Sequence, residues 1–281
     1  MLKFVSGFND LPEDEQKITY RIRAYMKQED IYDKNETIRF SLENMEKFFA
    51  DIRHNIHVLK YGNLFWYEYS RRQKKIITLH LPQDMEVLCQ KMIKLNAEDD
   101  NDEIVFPNID LYTFAYGDSL DDKDLIIASY HTQLKTDCML KKHNRLELSF
   151  HGVWRHEDRK PLLNKKDIID IVRLIYRHYP VTLVEIDDDI FNIRFPTSPD
   201  YYEDSYAVFP HRRTCAWMIG LPHKISQSDI PDTAEVIDID GKNTLVVSNR
   251  DEWFTSFNAE HVQKANFLEI ALWEKGLLPV F

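Results

Sequence analysis

Alternation of apolar and polar residues is the commonest pattern in the chain and predicts β-strands. Residues 17–26 place Ile18, Tyr20, Ile22 and Ala24 on one face with charged residues between them, which is typical of a strand buried on one side. Other apolar runs predict strands at 63–69, 109–117, 125–131, 145–154, 181–186 and 215–222. The chain is therefore expected to be rich in sheet.

Apolar residues that recur at spacings of three and four predict helices between these strands. The first helix is expected to begin at the cap residue Ser41, the second near Pro82, and the third after the cap Asn164, with Asp167 at its third position. Their predicted buried faces are, in turn, Met45, Phe48, Phe49, Ile52 and Ile56; Met85, Leu88, Cys89, Met92 and Leu95; and Ile168, Ile171, Val172, Ile175, Tyr176 and Tyr179.

A fourth helix is predicted near the end of the chain. Asn258 is a favoured N-cap, and Gly276 suits the left-handed position that follows a helix. The buried stripe is expected to contain Val262, Ala265, Leu268 and Leu272, widened by Phe267, Ile270 and Ala271. This width predicts a helix that is covered on more than one side.

The pair Glu260-His261 opens this last helix and could be read as acid–base or metal chemistry. A single Glu-His step lacks the second histidine, four residues on, that a zinc-binding helix requires. Glu260 in the first turn suits the positive end of the helix dipole. We therefore interpret the pair as part of a helix start.

Strand groups followed by a helix occur twice, at 125–178 and at 214–275. This order predicts an α+β fold with antiparallel sheets flanked by helices, arranged as two related β-β-β-α halves. A single domain over residues 1–281 is expected, and a division into sub-domains 1–190 and 191–281 stays open as an alternative.

The apolar runs and the cysteines of the chain indicate its cellular compartment. No run of about 18 apolar residues exists, and the first residues lack the apolar stretch of a signal peptide. The three cysteines, Cys89, Cys138 and Cys215, have no C-x-x-C spacing, so we expect neither a disulfide framework nor a cysteine-based zinc site. The sequence predicts a cytoplasmic protein without a cofactor, a metal or a membrane partner.

Charge is concentrated in one segment. The net charge is −11, and residues 98–124 hold ten acidic residues against the single base Lys123. Direct nucleic-acid binding is not expected, because it needs clustered Lys and Arg. A basic protein partner would be attracted, and the residues predicted to bind it are Asp99, Asp100, Glu103, Asp121 and Asp122.

The usual motifs of nucleotide and hydrolase chemistry are missing from the sequence. One alternative is a metal-dependent nuclease: Asp232, Asp240 and Lys242 match the P-D…D-x-K pattern, in which two carboxylates hold magnesium and a lysine assists water. Gly241 between Asp240 and Lys242 argues against it, because Asp-Gly predicts a tight hairpin turn between two alternating runs in 234–248. The acidic run Asp187–Asp189 could hold a cation but is expected to be a solvated turn.

The last quarter of the chain resembles the immunity protein 52 family of bacterial toxin–immunity systems. The resemblance rests on "AWMIGLP" (216–222), "IPDTAEVIDIDGKNTLVVSNRDEWF" (230–254) and "NAEHVQKANFLEIALWEKGLLP" (258–279). The matching residues are Trp217, Met218, Leu221, Pro222, Pro231, Ala234, Glu235, Asn258, Glu260, His261, Ala265, Gly276, Leu277, Leu278 and Pro279.

This resemblance implies a binding protein and not an enzyme. It implies that the chain neutralises a secreted toxin of a polymorphic-toxin or type VI secretion system, often a nuclease of restriction-endonuclease fold, by covering its active site. The expected partner is that toxin domain, and the chain itself is expected to be a monomer or a homodimer. A non-catalytic scaffold with a different protein partner is the remaining alternative.

Overall fold

A computed structural model of the chain describes residues 19–27, 33–56, 63–70, 75–97, 109–114, 125–132, 143–151, 163–188, 217–250, 254–256 and 258–278. The strands are β1 Thr19–Lys27, β2 Asn63–Ser70, β3 Lys75–Leu81, β4 Ile109–Phe114, β5 Leu125–Thr132, β6 His143–His151, β7 Val181–Asp188, β8 Met218–Leu221, β9 Glu235–Asp238 and β10 Thr244–Val247. The helices are α1 Lys34–Asn55, α2 Met85–Ala97, α3 Lys165–His178 and α4 Ala259–Glu274.

The ten strands form one sheet in the order β3-β2-β4-β5-β6-β1-β7-β8-β10-β9. Every recorded pairing is antiparallel. With helices packed on the sheet, this confirms the predicted α+β class. Both predicted groups of strands precede a helix. In the described residues the group at 125–178 contains two strands, β5 and β6, whereas the group at 214–275 contains three, with β10 between β8 and β9 in the sheet.

Strand β1 is at the centre of the sheet and is buried on both faces. Tyr20, Ile22 and Ala24 are buried as predicted, but Arg23 and Tyr25 on the opposite face are buried too. The expectation of a half-buried strand was wrong, because Arg23 pairs with carboxylates of β6 and β7 and Tyr25 belongs to the apolar cluster that contains Leu268 and Leu272 of α4. Ile18 lies outside the described residues.

Helices α1, α2 and α3 cover the first face of the sheet. Helix α3 begins as predicted, since the Asn164 side chain accepts the backbone N–H of Asp167 and Asp167 returns a bond to Asn164 N. Helix α1 begins eight residues earlier than predicted, with Asp33 and not Ser41 as its cap, because the carboxylate of Asp33 accepts two N–H groups of the first turn. Ser41 lies inside this helix.

The region around α2 differs from the prediction in three ways. Strand β3 was not predicted. The helix begins at Met85, because Pro82 belongs to the turn before it. Leu95 is exposed, and Asn96 is buried in its place and donates to the Met92 carbonyl. Cys89 is a buried free thiol, and Cys138 and Cys215 lie outside the described residues.

Helix α4 covers the second face of the sheet. Its Leu268 and Leu272 pack with Tyr25, Leu183 and Ile219, which point away from α1, α2 and α3. Among the described residues, no helix is both long and apolar enough to cross a membrane. Leu268 and Leu272 of α4 thus cover the face opposite to α1, α2 and α3, whereas Val262 and Ala265 at the start of α4 belong to the same core cluster as those three helices.

Candidate functional site

A buried group of charges lies on the second face of the sheet where β6, β1 and β7 run side by side. Arg23 of β1 is paired in register with Glu147 of β6 and Glu185 of β7. Its guanidinium donates two bonds to the Asp187 carboxylate, both of 3.0 Å, and lies 3.8 Å from Glu185 Oε2 and 3.9 Å from Glu147 Oε2. The Tyr25 hydroxyl donates to Glu185 at 2.9 Å. We call these five residues the charge network.

Burial and the neighbouring charges shift the pKa values of Asp187 and Arg23 in the charge network. Burial, together with the nearby Glu185 and Asp188 carboxylates, raises the pKa of Asp187 to about 7 in spite of the opposing effect of Arg23. Burial acts to lower the pKa of Arg23, but Asp187 and the other acidic groups outweigh it and raise that pKa, so the guanidinium stays charged. The network joins three central strands through ion pairs that water does not screen.

The acidic run at the end of β7 was predicted to be a solvated turn, and this was wrong. Asp187 and Asp188 are the last residues of β7, with only 2% and 0% of their surfaces exposed. Asp188 accepts the backbone N–H of Ser256 at 2.7 Å and its hydroxyl at 2.7 and 2.8 Å, which ties the segment before α4 to the sheet. Asp189 lies outside the described residues. No group of three metal-ligand side chains occurs in the described ranges.

The pair at the start of α4 has the structural role that was predicted. Asn258 caps the helix by accepting the Glu260 N–H. His261 is buried, and its Nδ1 accepts the backbone N–H of Thr255 at 3.1 Å. Glu260 is exposed and pairs with Lys264 at 2.8 Å. The helix ends before Gly276, whose φ of 65° is left-handed, as expected.

The residues of the nuclease-like pattern lie in turns. Asp240 Oδ1 accepts the N–H groups of Lys242 and Asn243 at 3.0 and 2.8 Å, and these bonds, with that of Asn243 foremost, lower the pKa of Asp240. Gly241 has a φ of 81°. The connection is wider than the predicted two-residue turn, since Ile239 N–H donates to the Asn243 carbonyl outside it. A nuclease site requires the second carboxylate and the lysine to alternate along one strand. Asp240 and Lys242 do not, because they lie in this turn.

The acidic residues predicted to bind a partner lie outside the described residues. They are Asp99, Asp100, Glu103, Asp121 and Asp122. Their role stays a prediction.

An exposed apolar stripe on α4 is the surface that the sequence prediction missed. Phe267, Ile270 and Trp273 are 54%, 50% and 44% exposed. Phe267 and Ile270 were predicted to be buried, and this was wrong, because the sheet covers one side of α4 and these side chains point to the other. The three residues are three positions apart, so they form one line of roughly 9 Å along the helix. The sequence did contain a signal for this exposure: at 3.6 residues per turn, Phe267 and Ile270 lie on the side of the helix opposite to Leu268 and Leu272.

Comparisons with known proteins give little. No protein-family model matches the chain. No curated protein sequence matches it significantly. Among solved structures, it is similar to the Pseudomonas aeruginosa T6SS protein PA0821, with 13% sequence identity and a TM-score of 0.44, over 93% of this chain and 73% of that one. A similarity at this level supports no conclusion about family or activity.

Proposed function

We propose that the chain is an immunity protein, which binds the toxin domain of a secreted bacterial effector and covers its active site. The toxin is proposed to be a nuclease of restriction-endonuclease type. The observation that carries the proposal is the exposed stripe of Phe267, Ile270 and Trp273. It lies within the stretch of sequence that resembles the immunity protein 52 family, and aromatic residues of this kind are the usual anchors of protein interfaces.

The stripe is mounted on a rigid support. Asp188 bonds to Ser256 just before α4, and His261 bonds back to Thr255 in its first turn. At the other end, Lys275 donates to the Ser228 carbonyl at 3.1 Å and pairs with Asp229 at 3.2 Å. A fixed helix loses little conformational freedom on binding, which favours tight association.

The overall charge suits a nuclease partner. A nuclease holds phosphates with Lys and Arg around its active site. A chain with a net charge of −11 is attracted to such a surface, and this attraction accelerates encounter.

The test is protection of cells. The genes next to its own are searched for a toxin domain, which is then co-produced with the chain. Growth is the first readout, and the affinity between the purified proteins is the second. We expect protection by the wild-type chain. The double variant Phe267→Ala and Ile270→Ala should bind the toxin at least about 30-fold more weakly, because the loss of even one interface anchor costs about 2 kcal/mol or more.

The matched control is Phe40→Ala, which removes a side chain that is 71% exposed on α1, away from α4. It should protect as well as the wild type. Absence of protection by the wild-type chain would refute the immunity function. Protection by both variants alike would keep the function and place the interface elsewhere.

A further inference from the structure

The outer edge of β9 presents a row of backbone N–H and C=O groups. Only the first half of this row is hydrogen-bonded to another part of the described chain. Among the strands that the structure describes, β9 is the last of the sheet and pairs only with β10. The N–H of Val236 points away from β10, since it donates to the side-chain Oε1 of Gln227 at 3.2 Å. The Nε2 of the same amide donates to the Ala234 carbonyl at 3.0 Å.

Gln227 therefore occupies the edge as a neighbouring strand would. A strand binds a carbonyl and an N–H two residues apart on its neighbour, and the Gln227 amide binds this pair at Ala234 and Val236. The short turn that carries Gln227 is fixed, because Ser226 and Asp229 cap each other and Lys275 bonds to the turn. The first half of the edge is closed.

The second half of the edge is open. The N–H and C=O of one residue point to the same side of a strand, and this side alternates along the chain. The carbonyl of Val236 and the N–H of Asp238 consequently point outward, and in the described ranges no group is hydrogen-bonded to either. Unpaired edge groups of this kind are a template for adding a strand from another chain.

The charges beside the β9 edge determine which kind of polypeptide can pair with it. The carboxylates of Asp232, Asp238 and Asp240 are exposed along this edge and its two turns, with Lys242 in the same loop. The neighbouring Glu235 is neutralised by Lys165 at 2.7 Å. A second copy would bring like charges together, whereas a basic strand would be attracted.

We propose that β9 is a docking edge for an extended, basic polypeptide segment, which pairs with Val236 and Asp238 beside Gln227. The edge itself carries this inference. Under the proposed function, on which its biological meaning rests, the segment belongs to the toxin domain.

The test uses a labelled peptide of about six residues, a common strand length, with alternating Lys and Val, and the full chain. Fluorescence anisotropy at low salt should show binding, and the analogue with Glu in place of Lys should not bind. Asp238→Pro removes the outward N–H, and proline is tolerated at such an edge. It should weaken peptide binding about tenfold relative to Asp238→Ala, which removes the same carboxylate but keeps the N–H.

A second measurement needs no variant. Adding the peptide to the wild-type chain should slow hydrogen exchange of the Asp238 amide and leave the Val236 amide, already bonded to Gln227, unchanged. Equal peptide affinity of Asp238→Pro and Asp238→Ala, or an unprotected Asp238 amide, would overturn the inference. So would dimerisation of the wild-type chain that Asp238→Pro abolishes.

The two proposals fail separately. If the toxin domain is neutralised but the peptide does not bind, the edge inference is wrong and the immunity function stands. If the peptide binds at Asp238 but no toxin is neutralised, the edge is a docking site and the immunity function is wrong.

Discussion

The hydroxyl of Tyr176 on α3 lies so close to Gly220 on β8 that a β-carbon at position 220 would be 2.8 Å from it. Val184 of the adjacent β7 would be 3.0 Å away. Glycine is needed here for close packing of a helix on the sheet and not for its backbone freedom. Among the described residues, none is hydrogen-bonded to the Tyr176 hydroxyl, and burial raises its pKa.

Substitution of Gly220 should therefore destabilise the fold through overpacking. We expect Gly220→Ala to lower the free energy of unfolding by about 1–3 kcal/mol, measured by urea denaturation. Tyr176→Phe removes the nearest atom and an unsatisfied hydroxyl, so it should be neutral or stabilising alone and should partly rescue Gly220→Ala. Simple addition of the two effects would show that the contact is not responsible.

The charge network should make stability depend on pH in an unusual direction. The pKa of Asp187 rises from 3.8 to about 7 on folding, so between these values the folded state holds a proton that the unfolded state has lost. This group's contribution to stability is therefore present below about pH 4 and is lost as the pH rises to 7. Asp187→Asn should remove a slope of up to about 1.4 kcal/mol per pH unit.

The matched control for this experiment is Asp170→Asn on α3. Burial acts to raise the pKa of Asp170, but the hydrogen bonds from Lys166 and Arg173 outweigh the effect of burial, so the pKa of Asp170 is lowered. Asp170 therefore stabilises the fold above its ordinary pKa and loses this effect as the pH falls. Thermal melts from pH 4 to 8 should show a changed pH dependence for Asp187→Asn only, because the effect of Asp170 is lost below its ordinary pKa of 3.8. The same change in both variants over this range would contradict the assigned Asp187 shift.

His261 should act through folding. His261→Ala leaves the Thr255 N–H without its acceptor and opens a cavity against Phe254, whose ring centre is 6.0 Å from that of His261. We expect a loss of about 1–3 kcal/mol in the free energy of unfolding, with toxin affinity unchanged in the folded fraction. A fully stable His261→Ala protein that does not bind would assign the histidine to the interface.

The nuclease alternative has a direct test. Asp240→Ala combined with Lys242→Ala should lose a modest amount of stability, because Asp240 accepts two backbone bonds of the turn. It should still neutralise the toxin, because removing Asp240 and Lys242 together leaves the net charge of the β9 edge unchanged. Magnesium-dependent cleavage of DNA or RNA by the purified wild-type chain, lost in this variant, would favour the enzyme.

Features specified by neighbouring residues were predictable from the sequence. Helix α3 was found because Asn164 and Asp167 cap each other within one turn. The start of α1 was missed because Asp33 and Ser41 are both good caps, and burial of Ile38 and Leu42 by the sheet decides between them. Local pattern alone does not contain that choice.

Features that depend on distant residues were not predictable. Asp187 and Asp188 look like a solvated turn until Arg23 and Ser256 are known to lie beside them. The stripe on α4 looked buried, because an exposed apolar face has the same sequence pattern as one that its own chain covers. The candidate surface therefore became visible only with the fold.

The acidic segment remains the natural candidate for speeding toxin encounter. Residues 98–124 hold ten acidic residues and one base, and exposed interface charges mostly alter the association rate. Changing Asp99, Asp100, Glu103, Asp121 and Asp122 to Asn or Gln should slow toxin association in stopped-flow measurements. The difference from the wild type should shrink as salt is added, because the Debye length falls to about 8 Å at physiological ionic strength. An unchanged association rate at low salt would leave the α4 stripe and the β9 edge to account for recognition.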